Sequence, residues 1–182
     1  MAKLISKTYG EALFELSLEE QKMDIFFEEV KGILEILSEN TDFSKLMNHP
    51  KISKEEKISV AEAVFKGKVS DELTGFLVLI INKDRFSDFE ATLTYFIARV
   101  KEEKKIGVVT VTTAIALEDS AKAKVEARIL ETTQYCTIET QYLVDAALIG
   151  GMVIRIGDRV VDSSIATKLY ELKKQLMNIQ LG

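Results

Sequence analysis

Lys101-Glu102-Glu103-Lys104-Lys105-Ile106-Gly107-Val108-Val109-Thr110-Val111-Thr112-Thr113-Ala114 is where this chain changes character. A charged segment of the kind that ends a solvated helix runs into a glycine and then into Val and Thr, whose stiff β-branched side chains suit a pleated strand. Composition divides at the same point. All nine Phe lie at or before Phe96, whereas eight of the thirteen Thr and five of the nine Gly lie at or after Gly107. Up to Lys104 there are 15 basic and 20 acidic residues, and from Lys105 onward nine of each, so the formal charge of −5 belongs to the first part. The expected organisation is therefore two domains, 1–104 and 105–182, in a mainly α chain: an N-terminal six-helix bundle followed by a small α+β C-terminal domain.

Upstream of the break the apolar residues recur with helical period. Met23, Phe27, Val30, Leu34 and Leu37 form one stripe, as do Leu73, Phe76, Leu77, Ile80 and Ile81, and Leu93, Phe96, Ile97 and Val100. Ser53 with Glu56 and Ser87 with Glu90 have the spacing of a capping box, and Pro50 ends whatever helix precedes it. Helices are expected near 3–18, 20–39, 42–48, 54–65, 71–82 and 88–104. Downstream, a strand over 107–114 leads to a helix near 118–132 with Ala121, Val125 and Ile129 on one side, then to strands near 134–142, 152–156 and 159–162. Gly157-Asp158 marks a hairpin between the last two. A final helix, capped by Asp162 or Ser163, carries Ile165, Leu169, Leu172, Leu176 and Ile179 on one stripe, which either packs on the domain's own sheet, the expected case, or faces a partner.

The composition excludes much chemistry. One Cys, Cys136, closes no internal disulfide and makes no cysteine-rich zinc site; one His, His49, rules out a multi-histidine metal centre. Net acidity argues against a nucleic-acid partner. No apolar run approaches the roughly 18 residues of a membrane span, and the first residues lack a signal-peptide core, so a cytosolic product is expected. Gly150-Gly151 precedes a strand and lacks the Lys or further glycines of a phosphate loop. Asp145, Asp158 and Asp162 are spread over two loops and read as turn and cap residues, Cys136 as a buried or half-buried strand residue, and His49 as an exposed loop residue. No cofactor, metal or catalytic residue is expected.

What stands out is surplus apolar surface. Phe76-Leu77-Val78-Leu79-Ile80-Ile81 is apolar all round, and the first helix carries Leu4, Ile5, Tyr9, Ala12, Leu13, Phe14 and Leu16. Two readings are open: the helix near 71–82 is the fully buried member of the bundle, or it offers a face to a partner helix.

Four stretches then carry a resemblance. Val144-Asp145-Ala146-Ala147-Leu148-Ile149-Gly150-Gly151-Met152-Val153-Ile154-Arg155-Ile156-Gly157-Asp158-Arg159-Val160-Val161-Asp162-Ser163-Ser164 closely resembles the signature of the delta subunit of bacterial F-type ATP synthase, a family that includes the mitochondrial oligomycin-sensitivity-conferring protein. Tyr9-Gly10-Glu11-Ala12-Leu13-Phe14, Asn48-His49-Pro50-Lys51-Ile52-Ser53 and Asn82-Lys83-Asp84-Arg85-Phe86 match in the right order. Gly10 stands where the family usually has Ala, which is expected to loosen the first helix, and Ser163 and Ala166-Thr167 replace a more usual Gly and Arg-Gly.

The resemblance implies a non-catalytic stator in the peripheral stalk, at the cytoplasmic face of the cell membrane without inserting into it. Its N-terminal domain would hold the N-terminal helix of an alpha subunit, and its C-terminal domain the C-terminal region of the b subunits. Candidate contacts for the alpha helix are Tyr9, Leu13, Phe76, Leu77 and Ile80; Asp145, Gly150, Gly151, Arg155, Gly157 and Asp162 are structural signature positions. Two rival classes are a membrane-surface or helix-binding amphipathic adaptor, which would need basic polar faces where Glu20, Asp24, Glu28, Glu29 and Glu35 stand, and a phosphate-binding enzyme using Gly150-Gly151.

Overall fold

The computed structural model describes residues 2–179, with side chains from 4 to 177. The Lys3 and Ile179 side chains, at the ends of the first and last expected helices, lie outside the described residues. The chain is mainly helical with one four-stranded sheet, and it divides into two compact units, Met1–Lys101 and Glu102–Gly182.

The first unit is built from α1 (Ala2–Glu19), α2 (Met23–Glu39), α3 (Thr41–Met47), α4 (Lys54–Phe65), α5 (Asp71–Asn82) and α6 (Phe89–Glu103), with a 3-10 turn over Phe86–Asp88. They share one core. Phe26, Phe27, Val30, Ile33 and Leu37 of α2 are buried with Leu13 and Phe14 of α1, Leu73, Leu77, Ile80 and Ile81 of α5, and Phe89, Leu93, Phe96 and Val100 of α6. Phe43 stands edge-on to Phe65 and Phe86 at 5.8 and 5.9 Å, and Phe86 stacks on Phe89 at 5.3 Å. This pairing geometry lets the short α3 join the core with little area of its own.

The Ser53–Glu56 capping box is present, with Ser53 Oγ accepting from Glu56 N and Glu56 Oε2 from Ser53 N. Ser87 caps nothing, because the chain enters α6 through the 3-10 turn that contains Ser87. Glu29, expected on the solvated face, reaches instead to the start of α5. Both its carboxylate oxygens accept from Ser70 N at 3.1 Å, and Ser70 Oγ donates to Oε2 at 2.7 Å.

In the second unit β1 (Ile106–Thr113), α7 (Asp119–Thr132), β2 (Thr137–Val144), β3 (Met152–Ile156), β4 (Arg159–Asp162) and α8 (Ile165–Ile179) follow the expected order, with an added 3-10 turn over Ala146–Leu148. The sheet order is β2-β1-β3-β4. Strands β1 and β2 are parallel because α7 returns the chain to the starting edge, while the short connections to β3 and β4 make antiparallel pairs. Val109 and Val111 of β1 are fully buried and meet Ile129 of α7, with Val125, Ile138, Tyr142, Ile154 and Ile156 around them. Strand β2 begins later than the sequence predicts. Cys136 lies just ahead of it and is exposed, neither buried nor half-buried, and its backbone N–H donates to Lys105 O where the pairing begins.

Candidate interaction surfaces

The signature stretch converges on the first turn of α8. Ser164 is the residue before that helix, and it, rather than Asp162 or Ser163, makes the N-terminal cap: Thr167 N donates to Ser164 Oγ at 3.2 Å. Asp162 supports the cap. Its Oδ1 accepts from Ser164 N at 2.8 Å and its Oδ2 from the Thr167 hydroxyl at 2.7 Å. The Thr167 bond, with the Ser164 bonds after it, holds the carboxyl below the usual aspartate range.

The glycine pair closes the arrangement from the other side. Gly150 O accepts from Ile165 N at 2.9 Å, Met152 O accepts from Ser163 N at 3.0 Å, and Gly151 has φ +76° with its Cα against the Ser163–Ser164 backbone. A side chain at Gly150 would overlap Ile165 Cδ1. Backbone and side-chain oxygens of the signature thus engage donors at the start of α8, which removes the phosphate-cradle reading of Gly150-Gly151. Among the other signature positions, Asp145 accepts from Ala147 N at 2.9 Å, and Arg155 Nε donates to Gly157 O at 3.3 Å across the hairpin turn.

What this loop holds in place is a helix whose apolar stripe is exposed. Ile165, Leu169, Leu172 and Leu176 are 43, 52, 54 and 65 % exposed, so the expectation that this stripe packs on its own sheet is wrong. The sheet core needs one helix only, and α7 supplies it.

In the first unit the candidate contacts separate. Leu13, Leu77 and Ile80 are 0, 3 and 1 % exposed and belong to the core, whereas Tyr9 and Phe76 are half-buried at its edge. Leu4 and Leu79 stand out to solvent at 70 and 43 %. Burial accounts for most of the apolar surplus of α5, leaving Leu79 over. Gly10, expected to loosen α1, is a packing device: a Cβ there would stand 2.5 Å from Tyr95 Cδ1 and 3.2 Å from Thr92 O of α6. Over this close approach Tyr95 donates to Glu11 Oε1 at 2.7 Å, and Arg99 pairs with the same carboxylate at 3.3 Å. The Tyr95 bond, opposed by desolvation and aided by Arg99, lowers the Glu11 pKa.

The matched stretches around Asn48-Pro50 and Asp84-Phe86 meet at a cavity of about 160 Å³, lined also by Met47, Lys57 and Ile81. It is smaller than the roughly 300–1,000 Å³ of ligand pockets. His49 is exposed beside it, with Nδ1 accepting from Lys51 N at 3.2 Å. Among the described residues no helix is long and apolar enough to cross a membrane, and no group of three His, Cys, Asp or Glu is placed to hold a metal.

The chain is similar to known proteins over its whole length. It is 52 % identical to the ATP synthase subunit delta of Lachnoclostridium phytofermentans over 182 residues, all of both chains. It is 32 % identical to that of Alkaliphilus oremlandii over 98 % of this chain and 99 % of the other, and 31 % identical to that of Desulforamulus reducens over 96 % of each. Its fold matches a chain of the Toxoplasma gondii mitochondrial ATP synthase hexamer with a TM-score of 0.75 at 18 % identity, covering 94 % of this chain and 97 % of that one. Residues 5–176 match the model of the ATP synthase delta (OSCP) subunit. With that match spanning nearly every element described above, the chain belongs to the ATP synthase delta (OSCP) subunit family.

Proposed function

We propose that this chain is the non-catalytic stator subunit that links the catalytic head of an F-type ATP synthase to its peripheral stalk, so that ion flow through the membrane sector drives synthesis instead of turning the head. Membership of the delta (OSCP) family makes it a structural subunit, associated peripherally with the membrane complex through other chains. In this reading residues 1–104 form a six-helix bundle for the head, and residues 105–182 form the α+β domain for the stalk, at the cytoplasmic face. The observation that carries it is the exposed stripe of α8, presented to solvent by the family's own signature loop.

On the head side, the N-terminal helix of an alpha subunit is proposed to lie between α1 and α5. Tyr9 and Phe76, at the core edge, and the exposed Leu4 and Leu79 are its proposed contacts, with the buried Leu13, Leu77 and Ile80 supporting them from the core. On the stalk side, the C-terminal region of the b subunits is proposed to cover α8. Four half-exposed aliphatic side chains, each contributing about 1 kcal/mol when covered, yield roughly 4 kcal/mol gross. Association itself costs at least about that much, so neither contact suffices alone and the two anchors act together.

The test is co-purification from detergent extracts, asking whether alpha, beta and b subunits accompany the chain. A Leu169→Asp, Leu176→Asp variant, altered only at exposed positions, is expected to keep the head subunits and lose b. Retention of b at wild-type level would remove the proposed stalk contact, and wild-type chain recovered without any ATP synthase subunit would remove the function.

A further inference from the structure

The exposed stripe of α8 carries a heptad repeat. Ile165, Leu169, Leu172 and Leu176 are separated by four, three and four residues, the 3.5-residue repeat of a coiled-coil seam, and position 179 continues it. Placing Leu169 and Leu176 at a puts Ile165 and Leu172 at d. The flanking e and g positions are then Ala166, Lys168, Lys173 and Gln175, basic and without an acidic residue. Lys168 and Lys173 are exposed.

We propose that α8 is one strand of a short heptad seam whose partner is an amphipathic helix with aliphatic a and d positions and acidic flanks. This rests on the stalk reading above and specifies the chemistry of the helix that reading requires. Three facts select this occupant. Ile165, Leu169, Leu172 and Leu176 keep the a and d spacing that knobs-into-holes packing matches, while the exposed Tyr170 and Met177, both at b, lie beside that seam and not in it. Lysines on both flanks pair with Glu or Asp on the partner whichever way the partner runs. A second copy of this chain would set Lys168 and Lys173 against the same lysines, a like-charge arrangement that works against self-association. A bilayer would favour an unbroken apolar face bounded by cations, whereas Lys173 at e stands between the seam and Tyr170 and Met177, and Glu171 interrupts the polar side of α8.

The experiment uses the full chain and two labelled synthetic peptides of four heptads with the same Leu and Ile seam, one bearing Glu and the other Lys at every e and g position. Fluorescence anisotropy is expected to show the Glu-flanked peptide binding at least about tenfold more tightly. A Lys168→Glu, Lys173→Glu variant should invert that preference, and Leu169→Asp, Leu176→Asp should abolish binding of both peptides. All four positions are exposed, so the variants leave the core intact.

Equal binding of the two peptides, or binding that survives the Asp variant, overturns the proposal. So does wild-type dimerisation in sedimentation equilibrium that the Asp variant abolishes, or binding to equimolar phosphatidylcholine–phosphatidylserine vesicles in place of either peptide. Failure of the stalk reading looks different: wild-type chain then fails to bring down b subunits while the peptide preference persists.

Discussion

Replacing Gly151 with Ala tests whether the signature loop acts by fixing α8. At φ +76° a side chain lies in the left-handed region, which costs an L-residue about 1 kcal/mol relative to Gly. The added Cβ would also overlap the Ser163 carbonyl oxygen and stand 3.1 Å from Ser163 C and Ser164 Cα. These are backbone atoms, so relief requires the Ser163–Ser164 segment to move and the bonds Ser163 N to Met152 O and Ile165 N to Gly150 O to break. At about 1 kcal/mol each they bring the expected loss to about 3 kcal/mol. Gly157 is the control: φ is +55°, yet nothing lies within 4 Å of its would-be Cβ, so Gly157→Ala should cost only about 1 kcal/mol. The difference of about 2 kcal/mol is roughly a 30-fold change in local opening, which amide hydrogen exchange reads directly. Protection should fall at α8 and at the β3–β4 pair and stay unchanged in α1 to α6. Equal losses for the two substitutions, or loss spread evenly over the chain, would refute the reasoning.

Other outcomes follow from single contacts. Gly10→Ala gains about 1 kcal/mol of helix propensity but displaces Tyr95, and overpacking of this kind costs about 1–3 kcal/mol, so urea denaturation should show net destabilisation. In a Tyr95→Ala background the same substitution should become stabilising, and an unchanged sign would exclude the proposed packing. Tyr142, desolvated and hydrogen-bonded to Glu126, has its pKa pushed up to about 12. Its raised folded-state value means that its contribution is complete below about pH 10 and is lost as pH rises towards 12. Absorbance titration should show a tyrosine step near pH 12, and that step should vanish in Tyr142→Phe. Asp162 has the opposite sign: its lowered pKa gives a contribution that is complete above the ordinary aspartate range and lost as pH falls through the depressed value. Protection against hydrogen exchange at α8 should therefore fall in acid before protection in α6 does, and Asp162→Asn should remove much of that pH dependence.

The element order was legible in the sequence because period is a local property. Helical stripes before Lys104, β-branched runs after Gly107 and the Gly157-Asp158 turn each report on their own backbone, and the elements lie within a few residues of expectation. The family was legible too, since the signature is a contiguous string. What sequence could not decide was which side of an apolar helix faces protein. Both α5 and α8 carry apolar residues at helical spacing, yet Leu77 and Ile80 are buried while Leu169 and Leu176 face solvent. That depends on how many neighbours each helix finds, five others around one core for α5 and a sheet already covered by α7 for α8. Gly10 is the same lesson at one residue: read along the chain it weakens a helix, and only the ring of Tyr95, 85 positions further on, shows that the missing side chain is what lets α1 and α6 meet.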